Sequence, residues 1–163
     1  MKMFDLEFDL VLSGLNHGPN LAKDVPYSGT VAAAYEAALS NVPAIAFSAD
    51  DVQAPYVYDE LVKLLDEILE SEIYKQVFML NINLPKRSFN KPLGTKITHL
   101  GKRMTHSELV KSKDEDKYHV TSSSTHYVEH EDSDVYAFEN GYVSITPLKE
   151  DRTDHDAIKK LLR

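Results

Sequence analysis

The stretch from residue 8 to residue 38 constrains the fold more than any other part of the sequence. A short apolar run over residues 8–13 ends abruptly in small and polar residues, and Ser28-Gly29-Thr30 then opens a run rich in alanine. A buried strand, a polar loop and a capped helix are how α/β folds build phosphate or metal sites at the carboxyl ends of strands. The pattern therefore predicts an α/β fold with a ligand site in this stretch.

Two further strands and an amphipathic helix are predicted in the first half of the chain. Residues 44–48 and 77–84 are typical of short buried strands, and leucine and isoleucine recur at helical spacing over residues 58–73. With the helix predicted over residues 30–39, the order is strand, helix, strand, helix, strand, which favours right-handed parallel crossovers. Three strands make a narrow sheet, so we expect an incomplete parallel sheet.

The second half has a different character. Residues 96–100 are compatible with a strand, and the β-forming residues at 118–129 predict a projecting β-hairpin or arm with a mobile tip. Residues 142–148 alternate strongly and predict a strand, and residues 154–162 predict a short helix at the carboxyl end of the chain.

The loop at residues 86–95 is the best candidate boundary between two parts of the chain. We assign residues 1–85 to an α/β half that carries the predicted site, and residues 86–163 to the hairpin arm and the carboxyl-terminal segment. The two parts are expected to form one continuous domain, because 163 residues match the usual size of a single domain.

Composition limits the partners and the compartment. The chain has 26 acidic and 18 basic residues and a formal charge of −8, which argues against nucleic acid or an anionic membrane as a partner. No apolar run approaches membrane-spanning length, and the amino terminus alternates apolar and acidic residues, unlike a secretory signal. These features predict a soluble, cytoplasmic protein.

The absence of cysteine limits metal chemistry. Without cysteine there is no disulfide and no thiolate ligand, so a metal site must use oxygen or imidazole ligands. Oxygen ligands favour hard cations such as Mg²⁺, Mn²⁺ or Ca²⁺. The segments Asp114-Glu115-Asp116 and Asp132-Ser133-Asp134 are interpreted as solvated turns, because neither has the glycine and the terminal glutamate of a calcium loop. The acidic pair Asp50-Asp51 follows a predicted strand without a glycine partner and is interpreted as a turn.

Two groups of residues are candidates for the site, and each has two interpretations. The amide oxygen of Asn16 is suited to bind a hard cation, or the amide bonds its own turn. Ser28-Gly29-Thr30 offers hydroxyls and free backbone N–H groups to a phosphate, or it is an ordinary helix cap. The Gly-x-Gly-x-x-Gly spacing of dinucleotide-binding folds is absent.

Five segments, in order along the chain, resemble the signature segments of the stationary-phase survival protein SurE family. They are residues 9–21 (DLVLSGLNHGPNL), 27–34 (YSGTVAAA), 43–46 (PAIA), 80–85 (LNINLP) and 141–148 (GYVSITPL). The resemblance covers nearly the whole chain from Phe8. It implies a Rossmann-like three-layer α/β/α fold with an extension, and a metal-dependent phosphatase that hydrolyses nucleoside monophosphates.

The resemblance also implies roles for particular positions. Asn16 corresponds to the family's amide ligand for a divalent metal, of which Mg²⁺ or Mn²⁺ is expected here. Ser28, Gly29 and Thr30 correspond to its phosphate-contacting turn. The hairpin and the carboxyl-terminal segment correspond to parts exchanged between subunits, which implies a homodimer or homotetramer. Base preference and the choice between 5′ and 3′ phosphates stay open.

The chain departs from the family pattern in two ways. Ala22 stands where the family usually has glycine. The opening strand that ends in Asp-Asp-Gly and a later metal-binding serine have no counterpart, so the chain resembles the family without its first third. The catalytic residues are therefore unassigned, and we expect weak or no phosphatase activity from this chain alone. The alternatives are a non-catalytic oligomerising fragment and an unrelated phosphate-binding domain.

Overall fold

The structure, a computed structural model, describes residues 7–113, 116–128 and 130–162. Its strands are β1 (Val11–His17), β2 (Ala44–Ala49), β3 (Met79–Asn83), β4 (Gly94–Ile97), β5 (Lys102–Lys111), β6 (Tyr118–Val128) and β7 (Tyr142–Leu148). Its helices are α1 (Gly29–Leu39), α2 (Val57–Ser71), α3 (Asp134–Glu139) and α4 (His155–Leu161), with 3₁₀ turns at Ala22–Tyr27 and Ile73–Lys75.

The main sheet is mostly parallel. Its five strands lie in the order β1-β2-β3-β7-β4, with β1, β2 and β3 parallel, β7 antiparallel to β3, and β4 parallel to β7. Strands β5 and β6 pair with each other as a separate antiparallel hairpin. This confirms the predicted α/β fold with a hairpin extension. Residues 114 and 115, between β5 and β6, lie outside the described residues.

Helices cover both faces of the sheet, because successive residues of a strand point to opposite faces. On one face, large residues of the strands pack against α2, whose Leu64 and Ile68 are buried with Phe47 and Ile82. On the other face, α1 packs through its small side chains Ala34 and Ala38. Short side chains let a helix lie close to the sheet, so the alanine-rich composition of α1 suits its place above the site. Among the described residues, no helix is both long and apolar enough to cross a membrane.

Strand β1 differs from the prediction. Its apolar run was expected to end at Ser13, but the strand begins at Val11 and continues to His17, so Asn16 belongs to the strand. An irregularity in the pairing with β2 lies between Ser13 and Asn16, where Gly14 has a φ of 142°. Glycine accepts this backbone conformation, which the L side chains rarely adopt. The strand therefore passes through a point where the sequence pattern indicates a loop.

Helix α3 was missed altogether. It has six residues, which is too short to show a helical repeat, and it lies in a polar stretch assigned to the hairpin arm. The Ser133 hydroxyl accepts a hydrogen bond from the Tyr136 N–H at 3.1 Å and caps the helix. Val135 and Phe138 pack with Leu21, so α3 is held by tertiary contacts.

Candidate functional site

The carboxyl ends of β1, β2 and β3 meet at one edge of the sheet. Asn16 is paired with Ser48, and Ser48 is paired with Asn83, so one polar residue from each strand lies in a row there. Helix α1 begins at the same edge of the sheet, as the contact between its Thr30 and Asn16 shows. The structure thus brings together Asn16 and the turn at residues 28–30, the two groups of candidate residues predicted from the sequence.

The Asn16 side chain is fixed by three hydrogen bonds. Its Nδ2 donates to the Gly18 carbonyl at 2.8 Å and to the His17 carbonyl at 3.4 Å. Its Oδ1 accepts from the Thr30 hydroxyl at 3.2 Å. The amide therefore bonds its own turn, and its oxygen keeps one further acceptor position, since an amide oxygen has two lone pairs.

Ser28-Gly29-Thr30 forms both a helix cap and an open turn. The Ser28 hydroxyl accepts from the Val31 N–H at 3.1 Å, so Ser28 is the N-cap of α1. The N–H groups of Gly29 and Thr30 belong to the first turn of the helix, where no intrahelical acceptor exists. Apart from its two chain neighbours and the backbone of α1, no atom of the described structure lies within 4 Å of the position that a Gly29 side chain would take. Two N–H groups thus lie at the positive end of the helix dipole without an intrahelical acceptor.

A buried polar network holds the loop between β1 and α1. The Asn20 N–H donates to Asn83 Oδ1 at 2.7 Å, and Asn20 Nδ2 donates to the Ser48 hydroxyl at 2.7 Å. The Asn20 carbonyl accepts from Asn81 Nδ2 at 2.9 Å and from Asn83 Nδ2 at 3.1 Å. Each bond contributes about 1 kcal/mol. The spacing of Asn81 and Asn83 along the strand indicated that both side chains point to the same face of the sheet. No signal in the sequence identified Asn20 as their hydrogen-bond partner.

Asp134 ties the same loop to two distant parts of the chain. Its Oδ2 accepts from the Ala22 N–H at 2.8 Å, and its Oδ1 accepts from the N–H groups of Gly101 at 2.7 Å and Val135 at 2.8 Å. The residue is completely buried. Burial raises the pKa of its carboxyl above the ordinary value, and the three N–H donors partly oppose this. The interpretation of residues 132–134 as a solvated turn is therefore wrong for Asp134.

The position that departs from the family pattern has an unusual backbone. Ala22 has a φ of 49°, in the left-handed region that glycine adopts more readily than alanine. It is buried beside Leu21, Val135 and Phe138. The chain therefore keeps, with alanine, a backbone conformation that suits glycine.

The acidic pair after β2 forms a turn, as predicted. Asp51 Oδ1 accepts from the Gln53 N–H at 2.9 Å, and Asp50 Oδ2 accepts from the Arg87 N–H at 3.0 Å. The bond between Asp50 and Arg87 connects the loop after β2 with the loop after β3. Both loops lie at the carboxyl edge of the sheet.

The residues at this edge do not by themselves fit a divalent metal ion. Within residues 7–113, 116–128 and 130–162, no group of three or more histidine or acidic side chains is placed to hold one. Asn16 offers a single neutral oxygen, whereas Mg²⁺ sites in proteins use carboxylates together with water and phosphate oxygens. The described site is therefore suited to a phosphate group more than to a free cation.

Comparison with known proteins places these features in a family. The family model described as Survival protein SurE matches residues 1–107. The chain is 38% identical to the 5′-nucleotidase SurE of Caldanaerobacter subterraneus subsp. tengcongensis over 94% of this chain and 62% of the relative. It is 39% identical to the 5′-nucleotidase SurE of Haemophilus ducreyi, over 98% of this chain and 67% of the relative.

A solved structure shows the same fold. The crystal structure of the SurE protein from Aquifex aeolicus matches with a TM-score of 0.75 and 35% sequence identity, over 95% of this chain and 66% of that chain. The chain thus spans 62% to 67% of the length of these relatives. The family model, the identities and the shared fold agree, and the chain belongs to the SurE family.

Proposed function

We propose that the chain carries the phosphate-binding part of a site that hydrolyses nucleoside monophosphates. The observation that carries this proposal is the amino-terminal turn of α1, where the N–H groups of Gly29 and Thr30 have no intrahelical acceptor and Thr30 contacts the Asn16 side chain. A helix amino terminus of this kind is a ready anion site. The printed names of the relatives, 5′-nucleotidase SurE, support a phosphate monoester of a nucleoside as the ligand.

In this proposal each residue has a part in holding the phosphate. The Gly29 and Thr30 N–H groups would donate to two phosphate oxygens, where they also stabilise negative charge that develops during hydrolysis. The Thr30 hydroxyl now donates to Asn16. On binding it would turn to donate to the phosphate, and this exchange frees both lone pairs of the Asn16 oxygen.

The resemblance implies that a divalent ion, Mg²⁺ or Mn²⁺, takes part in the reaction with Asn16 as one ligand. An ion of this kind polarises a phosphoryl oxygen when it is bound. The described residues do not supply the negative charge that would hold it, so no catalytic step of this chain is routed through it. For the same reason, we expect the 163-residue chain to release phosphate weakly or not at all.

The test separates phosphate binding from hydrolysis. The affinity for inorganic phosphate is measured by ³¹P NMR titration of the purified chain and of Thr30→Val and Gly29→Pro. The proline variant removes one N–H at the first helical position, where proline is tolerated, and Ser28 already has the extended backbone that precedes proline. Each variant is expected to weaken binding by about tenfold or more, since a charge-assisted hydrogen bond contributes about 1.5–3 kcal/mol.

Thr153→Val is the matched control, because this exposed threonine lies before α4. Phosphate affinity that is the same in the wild type and in both site variants would refute the phosphate site. Phosphate release from AMP in the presence of Mg²⁺ or Mn²⁺ is measured separately. Rapid metal-dependent turnover would refute the expected weak activity and leave the binding site intact.

A second role, subunit assembly, is favoured by exposed apolar side chains. On the hairpin, Leu109, Tyr118 and Val120 are 72%, 61% and 70% exposed. At the end of α4, Leu161 and Leu162 are 85% and 83% exposed. Apolar surface of this kind marks interaction sites. We propose that these two segments join copies of the chain into a homodimer or homotetramer, as the resemblance implies.

A further inference from the structure

A cavity of about 440 Å³ lies at the carboxyl edge of the sheet and has no part in the phosphate site. It is lined by Ala54, Pro55, Tyr56, Asp59, Arg87 and Asn90. Its volume is within the range of roughly 300–1,000 Å³ that is usual for small-molecule pockets. Its walls come from the segment between β2 and α2 and from the loop after β3.

Backbone hydrogen bonds bring the strand ends that lead into these walls next to the strand end that carries Asn16. The Gly18 N–H donates to the Ala49 carbonyl at 2.7 Å, and the Leu84 N–H donates to the Ser48 carbonyl at 2.9 Å. The loops after β1, β2 and β3 therefore leave the sheet side by side. Adjacent strands lie about 4.8 Å apart, so the ends of β1 and β3 are separated by roughly 9.6 Å. A nucleoside monophosphate is long enough to extend from one to the other.

The cavity presents two flat groups. Tyr56 is half-buried, and its hydroxyl donates to the Pro85 carbonyl at 3.4 Å, which holds the ring at the wall. Burial and the charges of Asp50 and Asp51 raise the pKa of Tyr56, so its phenol is neutral at ordinary pH. Arg87 is exposed, and none of the ion pairs within the described part of the chain includes its guanidinium.

The charges around the cavity select a ligand class. Asp59 lines it, and Asp50 and Asp51 act on Tyr56, so carboxylates outnumber the single Arg87 cation. The excess of negative charge disfavours binding of a second phosphate group in the cavity. A tyrosine ring and a guanidinium plane instead suit a flat, uncharged aromatic ring, which stacks on both. Asn90 and Asp59 offer an amide and a carboxylate to the polar edge of such a ring.

We propose that this cavity is the base subsite for the nucleoside monophosphate whose phosphate is held at Gly29 and Thr30. This inference rests on the proposed function for the identity of the ligand. Tyr56 and Arg87 stack on the base, and Asn90 and Asp59 contact its polar edge. The subsite thereby distinguishes a nucleotide from a sugar phosphate.

The test compares ligands with and without a base. Equilibrium dialysis of the full chain is carried out with AMP, ribose 5-phosphate and adenosine. The wild type is expected to bind AMP roughly tenfold more tightly than ribose 5-phosphate, since stacking of one base contributes about 1–3 kcal/mol. Tyr56→Leu is expected to abolish most of this difference without changing the affinity for ribose 5-phosphate. Tyr56→Phe keeps the ring and is expected to retain the preference.

Tyr58→Leu is the matched control, because Tyr58 lies two residues after Tyr56 in the first turn of α2, is 62% exposed and does not line this cavity. If Tyr56→Leu fails to fold, the exposed Arg87→Gln variant tests the same loss of preference. Equal binding of AMP and ribose 5-phosphate by the wild type would overturn the base subsite and leave the phosphate site standing. Equal weakening of both ligands by Tyr56→Leu would also overturn it. Tyr56-dependent binding of adenosine without any binding of ribose 5-phosphate would support the subsite and refute the phosphate site.

Discussion

At the scale of single residues, Ala22 is held in a conformation that glycine adopts at lower cost. Its φ of 49° brings the alanine side chain close to the following carbonyl oxygen, which costs roughly 1 kcal/mol. The residue nevertheless keeps this conformation, because its N–H donates to the buried Asp134 carboxylate at 2.8 Å. The departure from the family pattern that is visible in the sequence therefore has a structural consequence.

We expect Ala22→Gly to change the free energy of unfolding by less than about 0.5 kcal/mol. The relief of roughly 1 kcal/mol of backbone strain is offset by the loss of one buried methyl group and by the greater freedom of glycine in the unfolded chain. Urea denaturation of the two proteins measures the difference. Ala33→Gly, at an exposed position of α1 without this strain, is the control and should lower stability by about 1 kcal/mol. An equal decrease for both variants would show that residue 22 is not strained.

Asp134 gives a second prediction at this scale. Asp134→Asn should lower the free energy of unfolding by about 2 kcal/mol, because an amide offers one oxygen to three N–H donors. Since the pKa of Asp134 is raised in the folded state, its stabilising effect is greatest at low pH and falls as the pH rises through that pKa. The difference between wild type and variant should thus be larger at about pH 3.5 than at about pH 7.

Asp132 supplies the matched control for this pH dependence. A hydrogen bond from its own backbone N–H and the bond with His99 lower the pKa of Asp132, so its contribution is lost as the pH falls. Asp132→Asn should therefore show the opposite trend in urea denaturation at the two pH values. An Asp134→Asn penalty that grows toward neutral pH would contradict the effect of burial on this carboxyl.

At the scale of elements, the sequence predicts well those segments whose pattern is local. The strand over residues 44–48 and the helix over residues 58–73 were each predicted within two residues of β2 and α2. The pattern of apolar residues alone was sufficient to predict these two elements, because α2 buries one face and β2 buries both. Strand order has no such local signal. The insertion of β7 between β3 and β4 depends on long-range pairing, and so does the network around Asn20.

Strand β1 depends on one glycine, and this gives the prediction for an element. A side chain at Gly14 would place its Cβ 2.6 Å from the Phe47 carbonyl oxygen, and the φ of 142° is unfavourable for alanine. Gly14→Ala should therefore separate β1 from β2 and displace Asn16. The expected loss in the free energy of unfolding is roughly 2 kcal/mol or more.

Urea denaturation and ³¹P NMR titration together test this expectation. Gly29→Ala is the control for stability, since no described atom lies within 4 Å of its added Cβ. Gly14→Ala should lose both stability and phosphate affinity, because the strand carries Asn16 to the site. A Gly14→Ala protein as stable as the Gly29→Ala protein would contradict the close packing of β1 on β2.

At the scale of the whole molecule, the candidate site is assembled from segments far apart in sequence. The loop after β1 is fixed by Asn83 from β3 and by Asp134, which also binds Gly101 at the base of the hairpin. The sequence indicated Asn16 and the turn at residues 28–30, because strand ends and helix caps have local signatures. It did not indicate Asp134, since nothing in its own segment shows that the carboxyl is buried.

The hairpin supplies the prediction for the assembled molecule. Leu109 and Val120 are directly paired across β5 and β6, and both are largely exposed, so they form an apolar pair that the described chain does not cover. Directly paired residues lie on the same face. The double variant Leu109→Ser, Val120→Ser should therefore weaken subunit assembly without disturbing the sheet. Size-exclusion chromatography with light scattering should show a dimer or tetramer for the wild type and a monomer for the variant at the same concentration.

The adjacent cross-strand pair provides the control for this experiment. Glu108 is paired with Thr121, and the alternation along each strand puts this pair on the opposite face of the hairpin. Glu108→Gln should leave the measured mass of the oligomer unchanged, because one polar residue replaces another on a face that is not proposed to contact a second subunit. A wild-type monomer at every concentration would contradict the assembly role, and so would a double variant that keeps the wild-type mass.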